Sequence, residues 1–301
     1  MKIFNISLIL SLLFIVSCGT SSKKLKNPDE FPEIKDSDFI PPPTVTLNPV
    51  RDFYELEEGD KEFKQTLGGE TLSIQPNDAT EVVIDSDNPI NQILGSCYTK
   101  NFPKAFSISD KVFRKYKKHP SYWNSIGTCY LLKGEKKKAL LYYNKSRESN
   151  VNFAPPVNNL GVILQQQGKD QRALKAYKSA ADLASFSLTP LYNQGQLYLK
   201  YGLIDNAKKV FRTILGKNSE DRGALNALGY IHLVEGKYND AISYYSKLDR
   251  DDYKNATIGL NVVVTLMKLN KVSNARDVFE QIPPSGNSYY VKVQSQLARM
   301  K

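Results

Sequence analysis

The amino-acid sequence predicts an all-α fold in which a helix–turn–helix unit is repeated about six times. Three series of residues recur at a spacing of 34. The alanines are Ala139, Ala173, Ala207, Ala241 and Ala275. The glycines are Gly127, Gly161, Gly195 and Gly229, and the aromatic residues are Tyr143, Tyr177, Phe211, Tyr245 and Phe279. A period of this length is typical of a solenoid built from paired helices.

The small and aromatic residues of each period have complementary roles in packing. A glycine on the first helix and an alanine on the second let two antiparallel helices approach closely. The aromatic residue comes four positions after the alanine, so it lies one turn further along the same helix face. We expect it to fill the space between the two helices.

A second glycine series marks the turn within each unit. Its members are Gly134, Gly168, Gly202 and Gly236, and Asn270 takes the fifth place. Glycine, and after it asparagine, most readily adopts the left-handed conformation that ends a helix. The sequence also predicts that Asp205, Asn239 and Ser273, two residues before their alanines, cap the second helices.

This pattern resembles the tetratricopeptide repeat over roughly residues 88–285. The second unit matches its W-x2-LG-x2-Y…G…A-x3-Y/F positions with Trp123, Ile126, Gly127, Tyr130, Gly134, Ala139 and Tyr143. The third and fifth units match well, whereas the fourth has Gln194 before its glycine and the sixth lacks the first glycine. The resemblance implies stacked helix pairs and says little about function.

The two ends of the predicted solenoid, residues 87–285, are irregular. The first unit is degenerate: it has Leu94, Gly95, Tyr98 and Ala105, with a turn that we expect to be two residues shorter. Residues 286–301 are predicted to form a last amphipathic helix, from Ser288 to Met300, that shields the open end of the array. Pro283-Pro284 separates this capping helix from the sixth unit.

The first 17 residues have the layout of a secretion signal: one lysine, a short apolar run and then small residues. Ile15-Val16-Ser17-Cys18 resembles the bacterial lipobox. That resemblance implies cleavage before Cys18 and attachment of lipid to it, which is the only covalent group expected; no cofactor and no metal are predicted. Gly19 after the cysteine resembles the pattern that is sorted to the outer membrane. A signal that stays uncleaved as a membrane anchor is the alternative.

Residues 18–86 are predicted to be a mostly disordered, acidic tether. Few of their apolar residues recur at a helical or strand period. Residues 19–92 contain 7 Lys+Arg and 16 Asp+Glu, a net charge of −9. Residues 93–301 contain 33 Lys+Arg and 15 Asp+Glu, a net charge of +18. The overall charge of +10 therefore describes neither part.

Asparagine recurs on the first helices, where the family places residues that face a binding groove. The resemblance implies that two adjacent positions per unit, and one position a turn later, line this groove. The predicted lining is Asn124, Asn158, Asn159, Tyr192, Asn193, Gln196, Asn226, Tyr230 and Asn261. An asparagine side chain can both donate to and accept from a peptide backbone. The alternative is that these asparagines hydrogen-bond between neighbouring units.

Positive charge is concentrated on the turns and second helices and not on the predicted groove, as at Arg114 to Lys118 and Lys136 to Lys138. An exported location argues against nucleic acid as the partner. The open alternatives are an acidic protein, an anionic lipid or glycan such as lipopolysaccharide or peptidoglycan, contact with the chain's own acidic tether, and a merely solvated face.

The inventory of reactive residues favours binding over catalysis. His119 and His232 are the two histidines, and neither has a ligand-spaced partner. Cys97 and Cys129 are expected at the same buried place in units one and two, either as small core residues or as a disulfide. We expect no enzyme activity.

The sequence therefore predicts a lipid-anchored periplasmic scaffold of the outer membrane. In having a lipid anchor and about six tetratricopeptide repeats, the predicted protein resembles the pilotins of type IV pili and the lipoproteins of gliding-motility complexes. The expected partners are envelope proteins, held as extended segments in the groove. The alternative function is a binding module for peptidoglycan or lipopolysaccharide through the basic surface.

Overall fold

The computed structural model describes residues 87–300, and the predicted all-α fold is confirmed there. The signal, Cys18 and the tether lie outside the described residues. The thirteen α-helices of the described part are α1 Pro89–Tyr98, α2 Phe102–Tyr116, α3 Pro120–Leu132, α4 Lys136–Ser149, α5 Ala154–Gln166, α6 Asp170–Leu183, α7 Thr189–Lys200, α8 Ile204–Lys217, α9 Arg222–Val234, α10 Tyr238–Tyr245, α11 Ala256–Lys268, α12 Val272–Phe279 and α13 Ser288–Ala298. A short 3-10 helix, Arg250–Lys254, precedes α11. Helices α1 to α12 form six units of two helices each.

Each regular unit is held together by a glycine and an aromatic ring, as the sequence predicts. A methyl group built on Gly127 would come within 2.6 Å of the Tyr143 ring. The corresponding distance is 2.7 Å between Gly161 and Tyr177. These tyrosine rings are fully buried, so only a residue without a side chain fits opposite them.

The turns between paired helices repeat at a strict spacing of 34 residues through all six units. The residues with positive φ are Lys100, Gly134, Gly168, Gly202, Gly236 and Asn270. The first of these, Lys100 at φ 60°, shows that the first turn has the same length as the others. The expectation of a turn shorter by two residues was therefore wrong.

In the first unit, the large and the small side chain at two packing positions are interchanged. Counted from the turn residues, Ile93 takes the register position of Gly127, and Ser109 takes that of Tyr143. A large side chain replaces the glycine and a small one replaces the tyrosine. The Tyr122 hydroxyl of the second unit lies 2.8 Å from the Ser109 hydroxyl, and both side chains are buried.

The predicted capping residues do not cap the second helices. Helices α8, α10 and α12 begin at Ile204, Tyr238 and Val272, so Asp205, Asn239 and Ser273 already lie inside the first turn. In α8, for example, the residue before the helix is Leu203, whose carbonyl accepts from the amide of Ala207 at 3.0 Å. A single residue after the positive-φ glycine is therefore enough to connect the turn to the second helix.

The last helix covers the end of the sixth unit, as predicted. Tyr290, Val293 and Leu297 of α13 are buried against α11 and α12. Val263 replaces the unit's first glycine, and Phe279 is only partly buried. The Phe279 ring packs 4.9 Å from the ring of Tyr290, between centroids.

Cys97 of α1 and Cys129 of α3 form a disulfide between the first two units. The two cysteines are completely buried. They do not occupy equivalent places, because Cys97 lies three residues before its turn residue Lys100 and Cys129 lies five before Gly134. Within residues 87–300, no helix is long and apolar enough to cross a membrane.

Candidate functional site

The predicted groove asparagines form a row of hydrogen bonds that connects the first helices of neighbouring units. Asn159 Nδ2 donates to Asn124 Oδ1 at 3.0 Å, joining units two and three. Asn193 Nδ2 donates to Asn158 Oδ1 at 2.9 Å, joining units three and four. Asn261 Nδ2 donates to Asn226 Oδ1 at 3.2 Å, joining units five and six. We call these three contacts the asparagine ladder.

Most members of the asparagine ladder are buried. Asn124, Asn158, Asn159 and Asn193 are fully inaccessible, and Asn261 is 6% exposed. Asn158 also donates to Asn159 at 3.1 Å within its own helix. Buried amides need such partners, because an unpaired one costs about 1–3 kcal/mol. The alternative drawn from the sequence, hydrogen bonding between units, is thus present, and contact of these side chains with a bound peptide stays a prediction.

The asparagine ladder is interrupted between units four and five. The positions that would form its contact there hold Tyr192 and Ala227, and alanine has no group to donate. The Tyr192 ring instead lies against the start of α9, where a methyl group on Gly223 would come within 2.6 Å of it. Its ring also meets Phe211 edge-on, 5.7 Å between centroids. At this one position, ring packing takes the place of the ladder hydrogen bond.

Four of the nine predicted lining residues are only partly buried, and they surround this interruption. Tyr192 and Gln196 lie one turn apart on α7, and Asn226 and Tyr230 lie at the same register positions on α9. We call these four residues the tyrosine–amide patch. Burial raises the pKa of the Tyr192 hydroxyl. Its hydrogen bond with Gln196 lowers that pKa and offsets part of the rise. Burial also raises the pKa of Tyr230, so at neutral pH the phenols of the patch are uncharged.

The chemistry of the tyrosine–amide patch suits a polypeptide segment. Its phenol and amide groups can donate to and accept from a backbone. Tyrosine is also enriched among the residues that dominate protein interfaces, since it supplies a large contact area with few rotatable bonds. The patch carries no formal charge of its own. Arg222, at the beginning of α9, pairs with Asp252 at 3.1 Å.

Polar contacts between units also occur away from the first-helix positions, and sequence reasoning missed them. Asp170 Oδ2, at the beginning of α6, accepts from Lys200 Nζ and from the Tyr201 hydroxyl, both at 2.6 Å. Burial and this hydrogen bond raise the pKa of Tyr201 to about 12. Lys208 of α8 pairs with Glu235 after α9. These residues do not recur at the 34-residue period, so no sequence signal identified them.

The basic residues predicted on turns and second helices do lie at the surface. Lys137 and Lys138 are exposed on α4. Lys133 and Lys138 pair with Glu135 at 2.7 and 2.6 Å. These two lysines lower the pKa of Glu135, chiefly through their hydrogen bonds. Part of the positive charge is therefore already neutralised within its own turn.

His232 is a buried titratable group on α9, two residues after Tyr230 of the patch. It is 7% exposed, and its ring stacks on Tyr244 at 5.4 Å. Its Nδ1 lies 3.6 Å from Glu235 and 3.9 Å from Asp240. Burial lowers the pKa of His232, with a further contribution from Lys208. No group of His, Cys, Asp and Glu within residues 87–300 is arranged to hold a metal ion.

Two-helix units connected by buried amide contacts, with a polar patch where those contacts stop, define a helical-repeat scaffold. Residues 120–149 and 192–256 match the tetratricopeptide repeat family, so the helix pairs in these two segments are tetratricopeptide repeats. Such repeats are non-catalytic modules of protein–protein interaction.

Curated relatives share the repeats but are much longer. The chain is 26% identical over 204 residues to the human cell division cycle protein 16 homolog, covering 61% of this chain and 32% of that protein. It is 24% identical over 203 residues to the anaphase-promoting complex subunit CDC16 of Saccharomyces cerevisiae, covering 64% of this chain and 24% of that protein. The chain thus spans about a third or less of the length of these relatives.

Solved structures resemble the fold. Pseudomonas aeruginosa pilF superposes with a TM-score of 0.57 at 18% identity, covering 69% of this chain and 96% of that one. PilW, a type IV pilus biogenesis factor, gives a TM-score of 0.53 at 16% identity, with 68% and 96% covered. Cut9 in its complex with Hcn1 gives 0.54 at 20% identity, with 71% and 43% covered. At these identities the likeness shows the fold alone.

Proposed function

We propose that this chain is a scaffold of the bacterial envelope that binds a segment of another envelope protein at the tyrosine–amide patch. The interruption of the asparagine ladder is the observation that carries this proposal. Elsewhere along the row the amides are buried, whereas Gln196, both tyrosines and Asn226, which accepts from Asn261, stay partly exposed. A partner segment crossing α7 and α9 would find hydrogen-bonding groups and apolar rings together.

The anchored location rests on the chain's first residues. The lipobox-like Ile15-Val16-Ser17-Cys18 supports lipid attachment at Cys18, with residues 19–86 between the lipid and the repeats. Two or more acyl chains hold a protein stably at a membrane. Gly19 favours the outer membrane, and the repeats would then face the periplasm. The buried Cys97–Cys129 disulfide supports an oxidising compartment of this kind.

The machine that this scaffold serves is proposed to be of the type IV pilus or gliding-motility kind. The fold likeness to PilF and PilW, which extends over 96% of each of those chains, supports this choice. The assembly of a surface fibre or motor needs proteins that hold components at the membrane, and a repeat scaffold offers a binding surface without chemistry of its own.

Site-specific photo-cross-linking in the native cell tests the binding surface. A photoreactive amino acid at the position of Gln196, or separately of Tyr230, is expected to capture the same envelope protein. The matched control is Lys178, an exposed position on the second helix α6, where that protein should be absent. Equal capture from Lys178 would contradict the patch as the binding surface. Adducts with peptidoglycan or lipopolysaccharide alone would replace the proposal by the glycan-binding alternative.

The anchor needs a separate test. Cys18→Ser is expected to abolish incorporation of labelled palmitate and to release the protein from the membrane fraction. Unchanged labelling and fractionation would contradict lipid attachment at Cys18 while leaving the binding surface untouched.

A further inference from the structure

A continuous row of aromatic rings lies on the first two units, far from the tyrosine–amide patch along the chain. The row consists of Phe113, Trp123, Tyr142, Tyr130 and Phe106, and we call it the aromatic row. Phe113 meets Trp123 edge-on at 6.1 Å between centroids. Tyr142 stacks on Trp123 at 6.0 Å and on Tyr130 at 5.2 Å. Phe106 lies 5.0 Å from Tyr130.

Two lysines of α4 lie over the aromatic row. Lys145 Nζ is 3.8 Å from the centre of the Trp123 ring, and Lys138 Nζ is 5.1 Å from that of Tyr130. Both lysines share one face of α4 with Leu141, since they are three and four residues away from it. Such contacts hold the ammonium groups at the surface, above the rings, where they can attract further carboxylates. Lys138 already shares its charge with Glu135, at 2.6 Å.

The same surface exposes two large apolar side chains. Leu141 is 63% exposed and Phe113 is 42% exposed. Arg114, Lys115, Lys117 and Lys118 follow Phe113 directly in sequence. The combination of exposed apolar side chains and clustered positive charge fits a ligand that is both acidic and apolar.

A segment of this chain has that composition. Residues 52–60 read DFYELEEGD, with five carboxylates, no basic residue, and the apolar Phe53, Tyr54 and Leu56 between them. Only 26 residues, 61 to 86, separate the segment from Asp87 at the beginning of the first unit. A random coil of that length spans about 30 Å, which reaches across several helices packed about 10 Å apart. Attachment to the same chain gives an effective concentration on the order of millimolar.

We propose that residues 52–60 dock on the aromatic row of their own chain. The carboxylates pair with Lys138, Lys145 and the basic run after Phe113, while Phe53 and Leu56 cover Leu141 and Phe113. The uneven division of charge, −9 over residues 19–92 and +18 over residues 93–301, is then the source of an internal contact. This contact is independent of partner binding at the tyrosine–amide patch.

Zero-length carbodiimide cross-linking of the full chain tests the docking, because it joins a carboxylate only to a lysine in direct contact. Glu55, Glu57 and Glu58 are expected to link to Lys138 and Lys145 about tenfold more than to Lys178 and Lys209. These control lysines are exposed on α6 and α8. Raising the NaCl concentration from about 0.05 M to about 0.5 M should reduce the links severalfold, since the attraction is screened.

Two variants separate a specific contact from general attraction. Phe53→Ala/Leu56→Ala keeps every carboxylate and lysine, and it should lower the yield of the links severalfold. Leu67→Ala/Leu72→Ala, outside the segment, is the matched control and should not change it. Mixing isotopically labelled and unlabelled chains shows whether each link lies within one molecule. Equal yields at Lys178 and Lys209, no effect of Phe53→Ala/Leu56→Ala, or links only between different copies would each overturn the proposal.

Discussion

Asn193 donates its side-chain Nδ2 to Asn158 Oδ1 at 2.9 Å across the junction of the third and fourth units, and both side chains are fully buried. In a linear array, stability depends on the contacts between nearest neighbours. A buried amide pair at such a junction adds to the apolar packing and to the contacts of Asp170 with Lys200 and Tyr201 that also join these two units. The same asparagines that suggested a peptide groove from the sequence therefore contribute to the scaffold itself.

Asn158→Ala should lower the free energy of unfolding by about 1–3 kcal/mol, because it leaves the buried Asn193 amide without its acceptor. Urea unfolding followed by circular dichroism measures this change. Asn239→Ala, at an exposed position of α10, is the control and should change stability by less than about 0.5 kcal/mol. Equal effects of the two substitutions would show that the ladder contact contributes nothing.

Gly161→Ala should destabilise the third unit by about 1–3 kcal/mol through overpacking. Its methyl group would lie 2.7 Å from the Tyr177 ring, which is buried and cannot move aside freely. Gly216→Ala is the matched control within α8, because nothing lies within 4 Å of the added methyl group. That control should be neutral or stabilising by up to about 1 kcal/mol. A Gly161→Ala protein as stable as the wild type in thermal unfolding would contradict the packing.

Lys100→Gly should raise stability by about 1 kcal/mol. Lys100 holds a φ of 60°, which costs a residue with a side chain about 1–2 kcal/mol. Glycine removes that cost, although it also loosens the unfolded chain. Lys100→Ala removes the same charge without relieving the backbone, so it should not stabilise. A gain in melting temperature with alanine equal to that with glycine would assign the effect to charge instead.

Reduction of the Cys97–Cys129 disulfide should lower stability by about 2–4 kcal/mol. The bond closes a loop with a sequence separation of 32, and such a loop restricts the unfolded chain. The Cys97→Ala/Cys129→Ala protein should melt at the temperature of the reduced wild type and should not respond to reductant. A wild-type melting temperature that reductant leaves unchanged would sink this prediction.

Stability should also fall as the pH decreases from about 7 towards 5, and His232 should contribute to that loss. Burial holds the pKa of His232 in the folded protein below its ordinary value of 6.5. The unfolded chain therefore binds a proton that the folded chain excludes, and acid favours unfolding. Lys208 and Lys237 oppose the charged imidazole, whereas Glu235 and Asp240 favour it. His232→Gln should make the pH dependence shallower, and an identical slope would contradict the role of this residue.

The regular units could be predicted from the sequence because their packing needs particular residues at fixed intervals. A glycine opposite Tyr143 or Tyr177 has no substitute, so the period is visible without coordinates. The first unit reaches the same geometry with Ile93 and Ser109. Gly95 does not lie at the register position of the other glycines, so aligning the unit on Gly95 gave the wrong turn length. The capping residues were misplaced by two residues, because only Leu203 lies between Gly202 and the beginning of α8.

The exposure of the groove residues could not be predicted from the sequence. Asn193 and Asn226 are the same residue type at adjacent register positions, yet one is fully buried and the other only partly buried. Both amides have a partner in a neighbouring unit, because Asn193 donates to Asn158 and Asn226 accepts from Asn261. Their different exposure therefore depends on the side chains packed around them, which only the stacked coordinates show.

The affinity of the photo-cross-linked envelope protein is the most direct measurement of whether the tyrosine–amide patch is the binding surface. Titration calorimetry with the purified partner should show a loss of about tenfold or more for Gln196→Ala/Tyr230→Ala, with an unchanged melting temperature. Gln166→Ala/Gln167→Ala, at exposed positions at the end of α5, should bind like the wild type. Equal affinities of all three proteins would contradict the proposed binding surface.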